Sequence, residues 1–338
     1  MNILYYKHPD PFVLESGEVL PELTIAYTTY GTLSKTHNNV VWVCHALTAN
    51  SDVREWWPHT VESGAILDPE EHFVVCANIL GSPYGTTAPL HTNPATGEPY
   101  YGDFPTVTIR DIVRAHQIMA DVLGVGKIDM ILGCSVGGFQ AIEWAVMEPK
   151  RFNKLILVAT AAKATPWCIA IDETMRMAIR ADKSFGERRA DAAMDGLATA
   201  RAIALLSYRG SHGYNITQQN PDERIDNHRA SSYQRYQGEK LCKRYDVYSY
   251  CTIIDSFDTH DIGRGRGGVE AALKSIEAET IVVGITTDIL FPAADLRELA
   301  ATIPNGSYKE IESLFGHDGF LVEHQQFNDM LLPLMTRK

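Results

Sequence analysis

Ile128-Asp129-Met130-Ile131-Leu132-Gly133-Cys134-Ser135-Val136-Gly137-Gly138-Phe139-Gln140-Ala141-Ile142-Glu143-Trp144-Ala145 carries an apolar run into a helical pattern through a glycine-flanked serine. The run reads as a strand and the segment after Gly137 as a helix, so Ser135 falls where the chain turns sharply from one to the other. Such a turn packs backbone against backbone. A side chain two positions either side would block the bend that lifts the hydroxyl out of the sheet, which is why glycine stands there. G-x-S-x-G alone arises often by chance; between a strand and a helix it reads as a nucleophile elbow.

Outward from the elbow, Val40-Cys44, Phe73-Ala77, Leu155-Ala159, Ile281-Ile285 and Tyr308-Ile311 are short and rich in β-branched residues, as expected of strands covered on both faces. Thr108-Ile109-Arg110-Asp111 resembles a capping box, and Ile109, Ile112, Val113, His116, Met119, Ala120 and Leu123 recur at helical spacing until Gly124. Alternating strands and helices define an α/β fold with a doubly wound, mostly parallel sheet. Between about 163 and 275 the alternation lapses, and Ala164-Ala181, Arg188-Leu206 and Arg229-Tyr250 read as helices. The expected organisation is a discontinuous catalytic domain, 1–162 and 276–338, interrupted by an inserted helical lid, 163–275.

Composition narrows the function. With 338 residues, 45% hydrophobic and 21% charged, the chain can bury about three quarters of its unfolded surface. Its net charge of -12 disfavours nucleic acid and anionic lipid as partners, leaving small molecules. The six cysteines include no C-x-x-C pair and favour buried free thiols over disulfides or a metal site. The opening stretch 1–9 lacks a charged segment followed by a long apolar run, and no later run reaches membrane-spanning length, so a cytoplasmic location is expected.

A serine hydroxyl needs a base within hydrogen-bond reach, worth about 10²- to 10⁴-fold in rate. Of 12 histidines, His317 is placed best, in Ser313-Leu314-Phe315-Gly316-His317-Asp318-Gly319-Phe320 just after the last strand. The orienting acid is then Asp288, in the loop after Ile281-Ile285. Ser135, Asp288, His317 is the chain order of an α/β-hydrolase fold. The oxyanion needs two backbone donors, and Val136 N and Leu47 N, in the loop after Val40-Cys44, are expected to supply them. His260-Asp261-Ile262-Gly263-Arg264-Gly265-Arg266-Gly267-Gly268 reads either as a phosphate cradle or as a flexible connection. The tyrosine stripe Tyr233, Tyr236, Tyr245, Tyr248, Tyr250 reads as lid core or subunit contact.

His45-Ala46-Leu47-Thr48, the extended elbow, Ser207-Tyr208-Arg209, Tyr233-Gln234-Arg235-Tyr236-Gln237-Gly238-Glu239-Lys240, Asp258-Thr259-His260-Asp261, Asp288-Ile289-Leu290-Phe291-Pro292 and Gly316-His317-Asp318-Gly319-Phe320 together resemble the homoserine O-acetyltransferase family of α/β-hydrolase-fold acyltransferases, along nearly the whole chain. The resemblance implies a ping-pong transfer in which Ser135 takes an acetyl group from acetyl-CoA, a co-substrate, and passes it to the side-chain hydroxyl of L-homoserine in methionine biosynthesis. It implies that Arg209 holds the amino acid's carboxylate, that Asp318 accepts its ammonium group and that Tyr208 lines the pocket. It also implies a homodimer through the helical lids, with no metal and no further cofactor. The sequence departs from the family pattern at Pro83, Ala88 and His91 and at Ala49, where glycine is expected. Succinyl-CoA as donor, serine as acceptor and a carboxylesterase of the same fold are the alternatives.

Overall fold

The computed structural model describes residues 3–335; residues 1–2 of the opening stretch lie outside them. Eight strands form one sheet: β1 (Leu4–His8), β2 (Leu23–Tyr30), β3 (Val40–Cys44), β4 (Phe73–Ala77), β5 (Ile128–Cys134), β6 (Phe152–Val158), β7 (Glu279–Ile285) and β8 (Gly306–Ile311). Their order is β1-β2-β4-β3-β5-β6-β7-β8. The first two strands run antiparallel to their neighbours and all the rest are parallel. Cys44 pairs with Gly133, Cys134 with Val158, and Ile285 with Ile311, so β3, β5, β6, β7 and β8 end along one edge. Ligand sites of open α/β sheets lie at that edge, and the loops bearing Leu47, Ser135, Asp288 and His317 all leave from it.

Alternation along the central strands feeds two apolar layers. Trp42, Ile131, Leu155 and Leu157 face one side with α1 (Ile109–Val122) and α2 (Val136–Met147), while Val41, Val43, Met130, Leu132, Ile156 and Val158 face the other. At the start of α1, Thr108 Oγ1 accepts from Asp111 N while Asp111 Oδ2 accepts from Thr108 N, at 3.2 and 2.9 Å. The expected capping box therefore forms. Helix α2 is buried from Val136 through Val146, in keeping with its all-round apolar sequence.

Six helices lie between β6 and β7: α3 (Pro166–Arg180), α4 (Met194–Tyr208), α5 (Ser211–Thr217), α6 (Arg229–Cys242), α7 (Val247–Asp258) and α8 (Val269–Lys274). The chain closes through α9 (Ala293–Thr302) and α10 (His324–Met335). Among the described residues no helix is long and apolar enough to cross a membrane. The single helix expected over 229–250 is two, because Asp246 caps a new start by accepting from Ser249 N at 2.8 Å. The helix expected from Arg188 begins only at Met194, after Ala193 takes a left-handed conformation. Strands β1 and β2 were not foreseen.

The glycine-arginine loop is neither a phosphate cradle nor a slack connection. Arg266 Nη2 binds Glu143 at 2.6 Å and Arg264 Nη2 binds Glu15 at 3.1 Å, so both guanidinium groups are committed to carboxylates of the core. All six cysteines are free thiols.

Thr108→Ala removes one half of the capping box and is expected to lower stability by about 1 kcal/mol. Urea unfolding should show a lower midpoint with an unchanged slope, and turnover per folded molecule should stay as it is.

Candidate active site

Ser135 sits at the elbow with φ 56° and ψ -125°, a conformation that costs a non-glycine residue about 1–3 kcal/mol. Three hydrogen bonds hold it there: Ser135 N donates to Val158 O at 2.9 Å, and Ser135 O accepts from Gly138 N and Thr160 Oγ1, each at 2.8 Å. Glycine at 137 is a requirement of space, since a Cβ there would lie 2.0 Å from the Cys44 carbonyl oxygen.

Asp288, after β7, is surrounded by donors. Its Oδ1 accepts from Leu290 N and Phe291 N at 2.8 and 3.0 Å, and its Oδ2 pairs with His317 Nδ1 at 2.8 Å. That pairing puts the imidazole proton on Nδ1 and leaves the Nε2 lone pair as the base. The His317 ring is packed among Tyr208, Phe291 and Phe320, with centroids 5.6, 5.4 and 5.6 Å away. Burial opposes charging of the ring, but the charge and hydrogen bond of Asp288, helped by Asp318, outweigh it and hold His317 above the ordinary imidazole value. Among the described residues no hydrogen bond joins Ser135 Oγ to Nε2. Such a link often tightens only when substrate binds.

The oxyanion loop is held by its carbonyls. His45 Nε2 accepts from Ile79 N at 3.0 Å, so its proton is on Nδ1, which donates to Ala46 O at 2.9 Å. Burial pushes the pKa of His45 down to about 4, which keeps the ring neutral. In a trans peptide the C=O and the following N–H point opposite ways; anchoring Ala46 O therefore aims Leu47 N away from that anchor. Leu47 O accepts from Tyr245 of the linker between α6 and α7 at 3.1 Å, and Thr48 O accepts from Arg244 beside it. Neither Leu47 N nor Val136 N donates to another described residue. The departures at 83–91 lie in a loop stitched to β2 through Thr86 and Thr87, with Tyr84 touching the oxyanion loop at Thr48 O.

Ser135, Leu47, Val136 and Tyr208 line one cleft of about 480 Å³, completed by Phe139, Ala164, Cys168, Ile171, Asp172, Ser207, Phe257, Leu290 and Phe291. Arg209 does not face this cleft; it lines an adjoining recess with Tyr214 and Tyr233. Its Nε lies 3.2 Å from Asp318 Oδ2, off the hydrogen-bonding direction, and its Nη2 donates to Tyr233 Oη at 3.2 Å. Tyr208-Arg209 thus opposes His317-Asp318, ring facing ring and charge facing charge. Gly316 makes room for the approach, since a Cβ there would lie 2.5 Å from Gly210 N.

Sequence reasoning left four contributors unassigned. His45 entered only as part of the family pattern, although its place one residue before Ala46-Leu47 was a usable signal. The contacts of Arg244 and Tyr245 span nearly 200 positions and leave no local trace. Asp172 was hidden inside a helical pattern, although it lies one turn from both Cys168 and Arg176 on the face that is buried.

Nucleophile elbow, acid and base at the carboxyl edge of a parallel sheet define an α/β hydrolase, and the model of the alpha/beta hydrolase fold matches residues 39–324. A homoserine O-acetyltransferase of Cyclobacterium marinum is 44% identical over 94% of this chain and 91% of its own length. The crystal structure of a homoserine O-acetyltransferase from Staphylococcus aureus superposes with a TM-score of 0.83 at 29% identity, covering 100% of this chain and 96% of that one. A mutant of esterase E22, at 22% identity and TM-score 0.91 over 99% of this chain and all of its own, shares the fold. The chain belongs to the homoserine O-acetyltransferase family and is an acyltransferase.

Because the base works only when neutral, activity should rise with pH through the folded value of His317, so the acid limb of kcat/KM is expected above about 6.5, the ordinary imidazole value. Asp288→Asn removes the largest raising influence. It should move that limb to lower pH and cut the plateau by about 10³-fold or more, by analogy with triad acids; steady-state profiles of the two proteins check this.

Proposed function

We propose that this protein acetylates the side-chain hydroxyl of L-homoserine with acetyl-CoA, by a ping-pong mechanism through an acetyl-Ser135 intermediate, as a step of methionine biosynthesis in the cytoplasm. The observation that carries this reading is the Arg209–Asp318 ion pair directly beside the Asp288–His317 pair. One opposed cation and anion match the two charges of an amino acid, and their position brings the acceptor hydroxyl to the base.

In the first half-reaction Ser135 Oγ attacks the thioester carbonyl carbon and gives its proton to His317 Nε2, while Asp288 steadies the imidazolium. The oxyanion draws on Leu47 N and Val136 N, each worth about 3 kcal/mol by analogy with known oxyanion donors. The carbonyl re-forms, the carbon–sulfur bond breaks and the CoA thiol leaves with the proton from Nε2. In the second half-reaction the homoserine carboxylate takes Arg209 and its ammonium takes Asp318, replacing the internal ion pair, with Tyr208 closing the site beside the imidazole. His317 removes the hydroxyl proton, the hydroxyl oxygen attacks the acetyl carbon, and Ser135 leaves with the proton. An oriented acceptor reaches an effective molarity of about 10⁵ M or more, above that of bulk water, which favours transfer over hydrolysis.

Acetyl fits better than succinyl because no lysine or arginine lines the Ser135 cleft to meet a second carboxylate. The acyl group resides on the protein, so acetyl-CoA serves as co-substrate and no metal or other cofactor enters. Trp167, Met177, Leu206, Ile216 and Tyr236 are exposed on the lid helices and support a homodimer through them.

Rapid mixing with acetyl-CoA should release one equivalent of CoA in a burst that Ser135→Ala abolishes. Arg209→Ala should keep the burst and raise the homoserine KM by about 100-fold, the worth of a charge-assisted pair absent from the first half-reaction. Equal CoA release with and without homoserine would instead identify a hydrolase.

A further inference from the structure

The Ser135 cleft contains one carboxyl side chain, and the transfer does not use it. Asp172 lies on α3, 8% exposed, and lines the cleft with Ser135, Ser207 and Tyr208. Its carboxyl meets that of Asp258, the last residue of α7. Asp258 Oδ2 accepts from Arg176 Nη2 at 2.7 Å, whereas Asp258 Oδ1 is buried and receives no hydrogen bond from any described donor. Two touching carboxylates repel, and a buried acceptor without a donor is costly. One proton on Asp172 resolves both, because it supplies the donor that Oδ1 lacks. Arg176 decides which partner is the anion.

We infer that Asp172 is a neutral carboxylic acid donating its proton to Asp258 Oδ1, and that this pair makes the Ser135 cleft select uncharged acyl groups. The selectivity rests on the acyl-Ser135 reading above. Each nitrogen of the Arg176 guanidinium meets a carboxylate, Nε that of Glu173 at 2.6 Å, Nη1 that of Asp255 at 3.0 Å and Nη2 that of Asp258 at 2.7 Å. Arg180 is turned to Glu173 as well, at 3.1 Å. The two arginines thus face the carboxylates of Glu173, Asp255 and Asp258, and the wall of these five side chains behind Asp172 carries one net negative charge. An acyl chain ending in a carboxylate would find no cation among the residues that line the cleft, since Arg201 lies over the ring of Tyr208; an acetyl group meets only a neutral hydrogen-bonded acid.

The other ionisable side chains lining the cleft, Cys168 and Tyr208, are held above the range in which Asp172 titrates. Burial, then the charge and hydrogen bond of Asp258, push it up to about 8 against the pull of Arg176, with Asp255 adding to the rise. Burial holds Tyr208 on α4 and Tyr250 on α7 above the usual phenol range and pushes the Cys168 thiol up to about 11. Arg201 on α4 covers the Tyr208 ring at 5.6 Å. Ionisation of Asp172 above about pH 8 adds a negative charge beside the developing oxyanion, so acylation declines there.

Infrared difference spectra of the wild type between pH about 7 and about 9.5 should show loss of the carbonyl band of a protonated carboxylic acid, and Asp172→Asn should lack that band. The acetyl-CoA burst rate, scaled to each protein's own value at pH about 7, should fall on the alkaline side in the wild type and stay level in Asp172→Asn. Asp258→Asn makes the wall one charge less negative while keeping a partner for Asp172. It should lower the ratio of acetyl-CoA to succinyl-CoA burst rates by about tenfold. A wild type without the band, a band that persists in Asp172→Asn, or an alkaline fall that persists in that variant overturns the neutral acid; an unchanged ratio in Asp258→Asn overturns the selectivity. A band without any CoA burst would overturn the acyl-serine reading and with it the selectivity, leaving the protonated Asp172 standing.

Discussion

The backbone contact between Gly137 and the carbonyl of Cys44 is the constraint on which the rest of the site depends. It brings the start of α2 against the end of β3, so the loop carrying Leu47 and the residue after Ser135 become neighbours although they lie almost 90 positions apart. The same closeness forces the elbow and leaves Ser135 in a conformation that L residues avoid. The cost is offset locally, by hydrogen bonds from Gly138 and Thr160 to the Ser135 carbonyl, and globally by the burial of α2 on every face. A strained serine in a fully packed setting cannot relax without opening the core.

Holding the loop after β3 is a separate task, and the molecule divides it between the sheet and the segment between β6 and β7. Three successive carbonyls, of Ala46, Leu47 and Thr48, are each held by a different side chain: His45 from the strand end, Tyr245 and Arg244 from the linker between α6 and α7. Peptide planes fixed on their carbonyl side have their N–H directions fixed as well. By that rule His45 fixes the plane that carries Leu47 N, while Tyr245 and Arg244 fix the next two planes, so the linker between α6 and α7 steadies the loop on which the Leu47 donor is expected.

The parts legible in the sequence were those governed by local rules. Continuous apolar runs gave β3 to β7 because strands covered on both faces must be apolar throughout, whereas β8, expected at Tyr308–Ile311, is an edge strand with only Ile311 buried; the Thr108/Asp111 box marked the start of α1 because its two bonds close within four residues. The Asp288–His317 pair was legible from the order of strand ends. Strands β1 and β2 were not, since Leu4-Tyr5-Tyr6-Lys7-His8 is polar and mostly exposed and β2 mixes threonines with its apolar residues. Pairings across the fold were equally silent: nothing near Arg266 announces Glu143, and nothing near Asp172 announces Asp258. Arg209 and Asp318 were each placed at the site, but that they face one another is a property of two chain segments meeting at Gly210 and Gly316.

Buried charge follows one logic throughout. Glu143 is almost wholly enclosed yet meets both Arg110 and Arg266, and Asp111 meets Arg114 and two backbone N–H groups, so each anion has donors on every side. Such pairs add little net stability against apolar packing, and a lone partner is heavily penalised, so they fix which surfaces dock. Asp288 obeys the same rule, with two backbone N–H groups and an imidazole around it. Asp172 alone among these acids looks onto another carboxylate, and its environment suits the uncharged form as well as that of Asp288 suits an anion. Asp172 and Asp288 thus meet different surroundings, one a second carboxylate and the other a ring of donors, and surroundings of this kind set two acids of one fold to different charges.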